Sequence, residues 1–319
     1  MTVLVTGGAG YIGSHVVRLL QQAGHQVLVL DNLSSGLESR LGSAKLAQVD
    51  LAAADATALL TALIRDHGVD SVIHLAARKQ VGESVQKPEW YFEQNVGGMA
   101  HLLEAMQATG VKKLVFSSSA ATYGIPTVDY VDEDYDCKPI NPYGQTKLIG
   151  EWMVANAARA WGLRGVNLRY FNVAGAGWPD LADTAVMNLV PIVLAALRDS
   201  KAPIVFGDDY PTDDGSCVRD YVHVLDLAEA HIEALSYLDR DDRKPTFNVG
   251  TGSGSSVFEV LNEIKKVSGN DFAIDVQARR AGDPPYLCAD VSRIKAELGW
   301  SAKFNLHDII QSAWDAQAN

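Results

Sequence analysis

Short, unbroken apolar runs recur through the first 173 residues: Val3–Val5, Gln26–Leu30, Leu46–Val49, Ser71–Leu75, Lys113–Phe116 and Val166–Tyr170. Unbroken rather than alternating runs predict strands buried on both faces. Between them lie stretches with helical spacing, notably Gly13–Ala23, Thr57–Asp66 and Tyr91–Ala108. Strand and helix in repeated alternation predict an α/β fold built on a doubly wound parallel sheet with right-handed crossovers.

After Asn172 the alternation fails. Gly175–Asp180 reads as a loop, followed by a helix at Leu189–Leu197 and a short strand at Ile204–Phe206. Helices at Leu225–Leu238 and Val257–Val267, a strand near Phe272–Val276 and a helix from Leu306 complete the chain. The expected division is 1–172 and a smaller C-terminal α/β lobe at 173–319, with some later segments packing back on the first domain. The run Asp239-Arg240-Asp241-Asp242-Arg243 reads as a solvated loop.

A chain of 319 residues supports a large core, and its 47% hydrophobic content is ordinary for a globular protein. The net charge of -12 argues against nucleic acid or an anionic membrane as a partner. It leaves room for an anionic ligand held by a local cluster of arginines and helix N-termini. Cys137, Cys217 and Cys288 are far apart and make no Cys-x-x-Cys spacing, so neither zinc nor a disulfide framework is expected. Reduced thiols suit a cytoplasmic protein. The N-terminal run is cut short by Gly7 and reads as a strand rather than a signal peptide, and the apolar stretch 185–197 is too short to span a bilayer. No metal site is expected.

The first strand runs into Gly7-Gly8-Ala9-Gly10-Tyr11-Ile12-Gly13. Glycines at 7, 10 and 13 let a strand turn tightly into a helix and present backbone N–H groups, those of Tyr11, Ile12 and Gly13 among them, to a pyrophosphate. The second strand ends at Asp31, 18 residues after Gly13, where an acid accepts hydrogen bonds from the adenosine ribose of a dinucleotide. A carboxylate there repels a 2′-phosphate, and Asn32 and Leu33 follow it with no arginine, so NAD is expected rather than NADP. Asp50-Leu51 closes the third strand, either bordering the adenine or simply capping a helix.

The second constellation is Ser117-Ser118-Ser119 at a strand end, with Tyr143-Gly144-Gln145-Thr146-Lys147 beyond it. Asn141-Pro142 is a good helix start, so Tyr143 and Lys147, four apart, share a face. A phenol ionises near pH 10; bringing that down by about three units takes roughly 4 kcal/mol, which a nearby ammonium and a positive nicotinamide ring could supply. Tyr143 would then be a base for a sugar or alcohol hydroxyl, with Ser119 bonded to the reacting oxygen. Such residues singly are commonly surface packing or helix caps. Together, behind a dinucleotide turn, they point to a nicotinamide enzyme acting at a hydroxyl carbon.

These residues resemble the extended short-chain dehydrogenase/reductase family, and within it the UDP-glucose 4-epimerases. The resemblance runs nearly end to end. It also draws on Val81-Gly82-Glu83-Ser84-Val85-Gln86-Lys87-Pro88, Leu168-Arg169-Tyr170-Phe171-Asn172, Tyr210-Pro211-Thr212-Asp213-Asp214-Gly215 and Val218-Arg219-Asp220-Tyr221-Val222-His223-Val224. It implies a Rossmann NAD-binding domain, a UDP-sugar-binding lobe and a homodimer. It also implies an isomerase whose tightly held NAD is regenerated each turnover, passing through a transient 4-keto sugar. Leu75, Ala76, Ala77, Lys79, Asn95 and Phe171 match NAD-contacting positions, beside Tyr143 and Lys147. Arg219 and Arg280 match residues neutralising the diphosphate, although Arg219 could instead form a salt bridge with Asp220 or a neighbour. Asn172 and Asn188 match contacts to the sugar-nucleotide and Asp283 a ribose contact, while Phe206 borders the uracil or is plain core.

Three departures stand out: Arg78 beside Lys79 in place of an uncharged residue, Gly97-Gly98-Met99 weakening a helix, and a short loop at Ala174–Met187. A fourth concerns specificity. Counting back from Ala289-Asp290, Leu287 falls where glucose-restricted members carry a bulky tyrosine, so N-acetylated hexosamines are expected to be accepted as well. A nucleotide-sugar 4,6-dehydratase is disfavoured, because Ala120-Ala121 rather than Asp-Glu follows Ser119. A 4-epimerase of UDP-glucuronate or of a UDP-pentose would use the same catalytic set, and a non-catalytic NAD-binding sensor would need only the glycines.

Overall fold

The computed structural model describes residues 1–280 and 282–317. Its strands are β1 (Thr2–Thr6), β2 (Gln26–Asp31), β3 (Lys45–Gln48), β4 (Ser71–His74), β5 (Lys113–Ser119), β6 (Tyr130–Val131) and β7 (Arg164–Tyr170). There follow β8 (Asn172–Ala174), β9 (Ile204–Phe206), β10 (Val218–His223), β11 (Thr246–Val249), β12 (Gly254–Ser256), β13 (Asp275–Gln277) and β14 (Tyr286–Ala289). Seven of them form one sheet in the order β11-β7-β5-β4-β1-β2-β3, with β3-β2-β1-β4-β5 parallel throughout. This is the doubly wound α/β architecture expected from the apolar runs.

The chain divides into two compact units. The first comprises Met1–Gly124, Cys137–Arg169 and Ala228–Phe247; the second comprises Ile125–Asp136, Tyr170–Leu227 and the chain from Asn248 on. Within the second unit β10 pairs with β12, β14 and β8, while β14 also pairs with β6, which ties 125–136 to its later strands. Glu133 and the Val131 carbonyl reinforce that tie by accepting from the backbone and side chain of Asn248. A separate pair, β9 and β13, is parallel.

Each unit has its own core. Leu4, Leu28, Val72, Met99, Leu102, Leu114 and Phe116 belong to the first, and Val190, Leu194, Tyr221, Leu261 and Ile310 to the second. Two acids of the mostly exposed 239–243 run, itself part of the first unit, pair with bases outside the run: Asp239 with Lys113 and Asp241 with Arg164.

The helix Pro142–Trp161 shows how local sequence sets an element. Asn141 accepts from the Gly144 N–H at 2.8 Å, Pro142 occupies the first turn and Gly162, at φ 76°, ends it. Its Gly150 lies so close to β5 that a Cβ would stand 2.4 Å from the Phe116 ring. The predicted helix at Tyr91–Ala108 is composite. An α-turn at Pro88–Phe92 runs into a π-helical turn at Glu93–Gly97 and then the α-helix Gly98–Thr109. Gly98 does not break it, and instead allows Leu51 to approach to where a Cβ would stand 3.0 Å from that of Leu51.

These two helices give opposite expectations for glycine-to-alanine changes. Gly150→Ala should destabilise by about 1–3 kcal/mol, because its Cβ would press into the buried Phe116 ring. Gly97→Ala, helical and with open space around its Cβ position, should stabilise by about 0.5–1 kcal/mol. Urea unfolding of both variants would check the sign and the size.

Candidate active site

The order of the seven-stranded sheet reverses between β1 and β4, the place where doubly wound sheets bind ligands at the strand carboxyl ends. Gly7 leaves β1 at φ 72°, and a Cβ on it would stand 2.7 Å from the Ala76 nitrogen. A Cβ on Gly13 would stand 2.1 Å from the Gly7 carbonyl oxygen. Both positions therefore require glycine. Gly10 caps the helix Tyr11–Gln22 without a side-chain bond, and no acid lies in the first turn. The first bond of the helical ladder runs from the Ser14 N–H to the Gly10 carbonyl, so the Ile12 and Gly13 N–H groups precede it. Such a terminus carries partial positive charge and suits a pyrophosphate.

Asp31 is buried at the end of β2, where its two oxygens accept from the Ala9 N–H at 3.0 Å and the Leu33 N–H at 2.9 Å. Each oxygen keeps a further acceptor site for a ribose hydroxyl. Leu33 adopts φ 56°, a left-handed conformation uncommon for leucine, and its bond to Asp31 helps to hold it there. Asn32 donates to Asp50, which also accepts from the Ala52 N–H, so Asp50 caps a turn and braces Asn32. Leu51 is buried. Glycine turn, open N–H groups and ribose acid together fit an NAD molecule.

The loop after β4 carries Leu75, Ala76 and Ala77, all half-buried, and Lys79, which is exposed. Asn95, inside the π-turn, holds this loop through both the N–H and the carbonyl of Arg78, and it also donates to Thr146. Arg78 lays its guanidinium over Trp90 at 4.7 Å, which accounts for its charge by packing.

Tyr143, Lys147 and Ser119 are all buried and come together in the first unit. Ser119 ends β5 and accepts from the Ala121 N–H at 3.1 Å, with its hydroxyl near enough to the Tyr143 phenol to favour the phenolate. Lys147 donates to the Ser117 carbonyl at 2.8 Å, with its ammonium 5.9 Å from the centre of the Tyr143 ring. Burial pushes the Tyr143 phenol up, against the pull of Ser119, and brings Lys147 down to about 8. In the chain alone desolvation is the larger influence on the phenol, and the expected positive nicotinamide ring would add to the charges that favour the phenolate.

The second unit holds Phe171, Asn172, Asn188, Phe206, Arg219, Arg280, Asp283 and Leu287. Arg219 is not paired with Asp220. It donates to the Val218 and Pro284 carbonyls and lies 3.7 Å from Asp283. Asp220 is instead filled by the N–H groups of Thr251, Gly252 and Ala289 and by the Thr251 hydroxyl. Arg280, exposed, stacks over Phe206 at 3.8 Å, so Phe206 is neither fully buried nor bare. Asn172 is exposed and lies opposite Tyr221 in the β8–β10 pairing. Asn188 is exposed at the start of the helix Leu189–Arg198 and makes no capping bond there. Phe171 is buried, its N–H bonded to the Val249 carbonyl.

In the parallel register Leu287 lies beside Arg219 and Tyr286 beside Val218. Leu287 therefore shares the face of Arg219 and Tyr286 does not. Sequence reasoning missed Thr6, whose hydroxyl bonds His74 at 2.7 Å and receives the Ala76 N–H, and it missed the buried Ser118, Glu151 and Arg169. A charged residue inside the apolar run Val166–Tyr170 was the available signal for the last. Among the described residues, no helix is long and apolar enough to cross a membrane and no group of three metal-ligating side chains gathers.

Residues 3–250 match the NAD dependent epimerase/dehydratase family. A UDP-glucose 4-epimerase of Halalkalibacterium halodurans is 44% identical over 99% of this chain and 95% of its own length. A UDP-glucose 4-epimerase structure from Stenotrophomonas maltophila, with bound NAD and formylated UDP-arabinopyranose, is similar with a TM-score of 0.95. It shares 40% identity and covers 100% of this chain and 98% of that one. A UDP-Glc/GlcNAc 4-epimerase structure from Campylobacter jejuni has a TM-score of 0.88 at 39% identity, covering 99% of both chains.

His74, between Thr6 and the Phe116 ring, is brought down to about 3 by burial and then by the Lys147 charge. Below pH 6.5 the unfolded chain takes up a proton that the folded chain refuses, so stability falls as pH drops from 6.5 towards 3. Between pH 6.5 and 5 this amounts to roughly 2 kcal/mol. His74→Gln should flatten that part of the stability profile in urea titrations at the two pH values.

Proposed function

Because the chain belongs to the NAD dependent epimerase/dehydratase family, we propose that it catalyses 4-epimerisation of a UDP-hexose, interconverting UDP-glucose and UDP-galactose. The observation that carries this reading is the buried meeting of Tyr143, Ser119 and Lys147 in the unit that bears the glycine turn. A dinucleotide-binding sensor would have no use for that trio. Dehydration across the sugar would need an acid and a base after Ser119, where Ala120 and Ala121 form a short turn.

Gly7, Gly10, Tyr11, Ile12 and Gly13 would hold the NAD pyrophosphate, and Asp31, with Asn32, the adenosine ribose. Asp50 and Leu51 would border the adenine, and Leu75, Ala76, Ala77, Lys79, Asn95 and Phe171 would line the remainder. When bound, NAD would supply an acceptor for the hydride leaving the sugar C4 and a positive charge that favours the phenolate. Tyr143 Oη takes the proton from the C4 hydroxyl and later returns it, while Ser119 Oγ holds the same sugar oxygen. The Lys147 ammonium keeps the local charge positive and is held in place by its bond to the Ser117 carbonyl. We assign the diphosphate to Arg219 and Arg280, the nucleoside to Phe206 and Asp283, and the sugar-nucleotide contacts to Asn172 and Asn188. The protein is expected to act as a cytoplasmic homodimer.

The test is NMR of the purified protein with UDP-galactose and no added NAD. UDP-glucose should appear up to its equilibrium share. No conversion, even with NAD supplied, would overturn the proposal. Tyr143→Phe should lower turnover on the order of a hundredfold or more while retaining its NAD, read from the nucleotide released on denaturation.

Leu287, on the face of Arg219, is smaller than the tyrosine expected in glucose-restricted relatives, so UDP-N-acetylglucosamine should also be turned over. Leu287→Tyr should suppress that substrate selectively, since one poorly fitting group costs about 1–3 kcal/mol, or tenfold and upwards. Equal losses with UDP-glucose would remove Leu287 from this role.

A further inference from the structure

Within the first unit the helix Pro142–Trp161 is tied to β5 rung by rung. At its start Gly144 faces the Ala121 carbonyl so closely that a Cβ would stand 2.5 Å from the oxygen. Below that, Tyr143 comes near Ser119 and Lys147 bonds the Ser117 carbonyl. Lower still, Gly150 rests on Phe116 and Glu151 meets Ser118. Phe116 and Ser118 are alternate residues of β5 and so present the same side to the helix.

The last rung is ionic, and the proposed chemistry does not use it. Glu151 lies one turn beyond Lys147 and two beyond Tyr143. One of its carboxylate oxygens accepts from the Ser118 hydroxyl at 2.5 Å and from Arg169 Nε at 2.8 Å, and the other accepts from Arg169 Nη2 at 2.6 Å. Arg169 Nη1 donates to the Tyr123 hydroxyl at 3.1 Å, and Tyr123 closes the turn Ala120–Thr122 that starts from Ser119. The two charged side chains are only 7% and 6% exposed. Burial works against the Arg169 charge, but the hydrogen bond and charge of Glu151 more than offset it and hold the guanidinium protonated. A buried ion pair is an inefficient way to gain stability, whereas a two-pronged arginine–carboxylate contact fixes orientation.

We infer that Ser118, Glu151 and Arg169 are positioning residues that set the height of the helix on β5 and thereby the contact between Tyr143 and Ser119. Arg169 grips both halves of that contact, the helix through Glu151 and the Ser119 turn through Tyr123. The inference rests on the roles proposed above for Tyr143 and Ser119.

The test uses Ser118→Ala, which removes one hydroxyl and keeps the ion pair, in protein carrying 13C-labelled tyrosine. The Cζ resonance of Tyr143 is identified by its loss in Tyr143→Phe. It should be displaced in Ser118→Ala, with kcat for UDP-galactose reduced on the order of tenfold and KM almost unchanged. Ser118→Thr should restore both resonance and kcat. Glu151→Gln, which keeps the shape but removes the charge, should displace the same resonance. An unmoved Tyr143 resonance in both variants overturns the inference, whatever happens to activity or melting temperature. If the parent protein converts no UDP-sugar, the proposed function falls, and the resonance still decides the positioning role.

Discussion

The close seating of one helix on one strand governs the chemical half of this protein. The helix Pro142–Trp161 seats closely on β5 and on the turn after it because Gly150 and Gly144 carry no side chain where a Cβ would meet the Phe116 ring and the Ala121 carbonyl. That approach brings the Lys147 ammonium to a backbone carbonyl and the Tyr143 phenol to Ser119, both under cover. A helix standing a methyl group farther off would present the same residues in the same order and leave them wet and apart. The spacing of Tyr143 and Lys147 is a property of any helix, whereas their environment is a property of this contact.

Burial has an electrostatic consequence. In the chain alone it disfavours charge on Tyr143, on Lys147 and on His74, and each shifts towards its neutral form. Arg169 is the exception, because Glu151 compensates it at short range. In the chain alone burial therefore opposes the phenolate even with the Lys147 ammonium nearby. A base in such surroundings is latent until a cationic group arrives, which suits a reaction whose first proton transfer must wait for a complete complex.

The second unit solves a different problem, holding an arginine at a chosen place on a sheet. Asp220 looks like the partner of its neighbour Arg219, but adjacent residues of a strand point to opposite faces. Its carboxylate is turned to the backbone of 251, 252 and 289 instead. It thereby pins β14 beside β10, and the register that results puts Leu287 with Arg219. A single-residue slip would exchange Leu287 for Tyr286 and alter the width of whatever pocket that face lines.

Much of this was legible in the amino-acid order. Unbroken apolar runs announce strands covered on both sides, and glycines at 7, 10 and 13 announce a tight turn into a helix. Asn141-Pro142 announces where the Tyr143 helix begins. These are local matters, decided by the backbone freedom and capping chemistry of a few consecutive residues. What the order did not disclose was non-local: β6, β8, β12 and β14 are two to four residues long and exist only through their partners. The π-turn at Glu93–Gly97, the burial that sets the titration of Tyr143 and Lys147, and the meeting of Glu151 with Arg169 also arise between distant segments. Sequence by itself determined which groups are available and how they are spaced along each element. Tertiary structure decided which of them lose water together, because desolvation depends on what packs above a residue rather than on what precedes it.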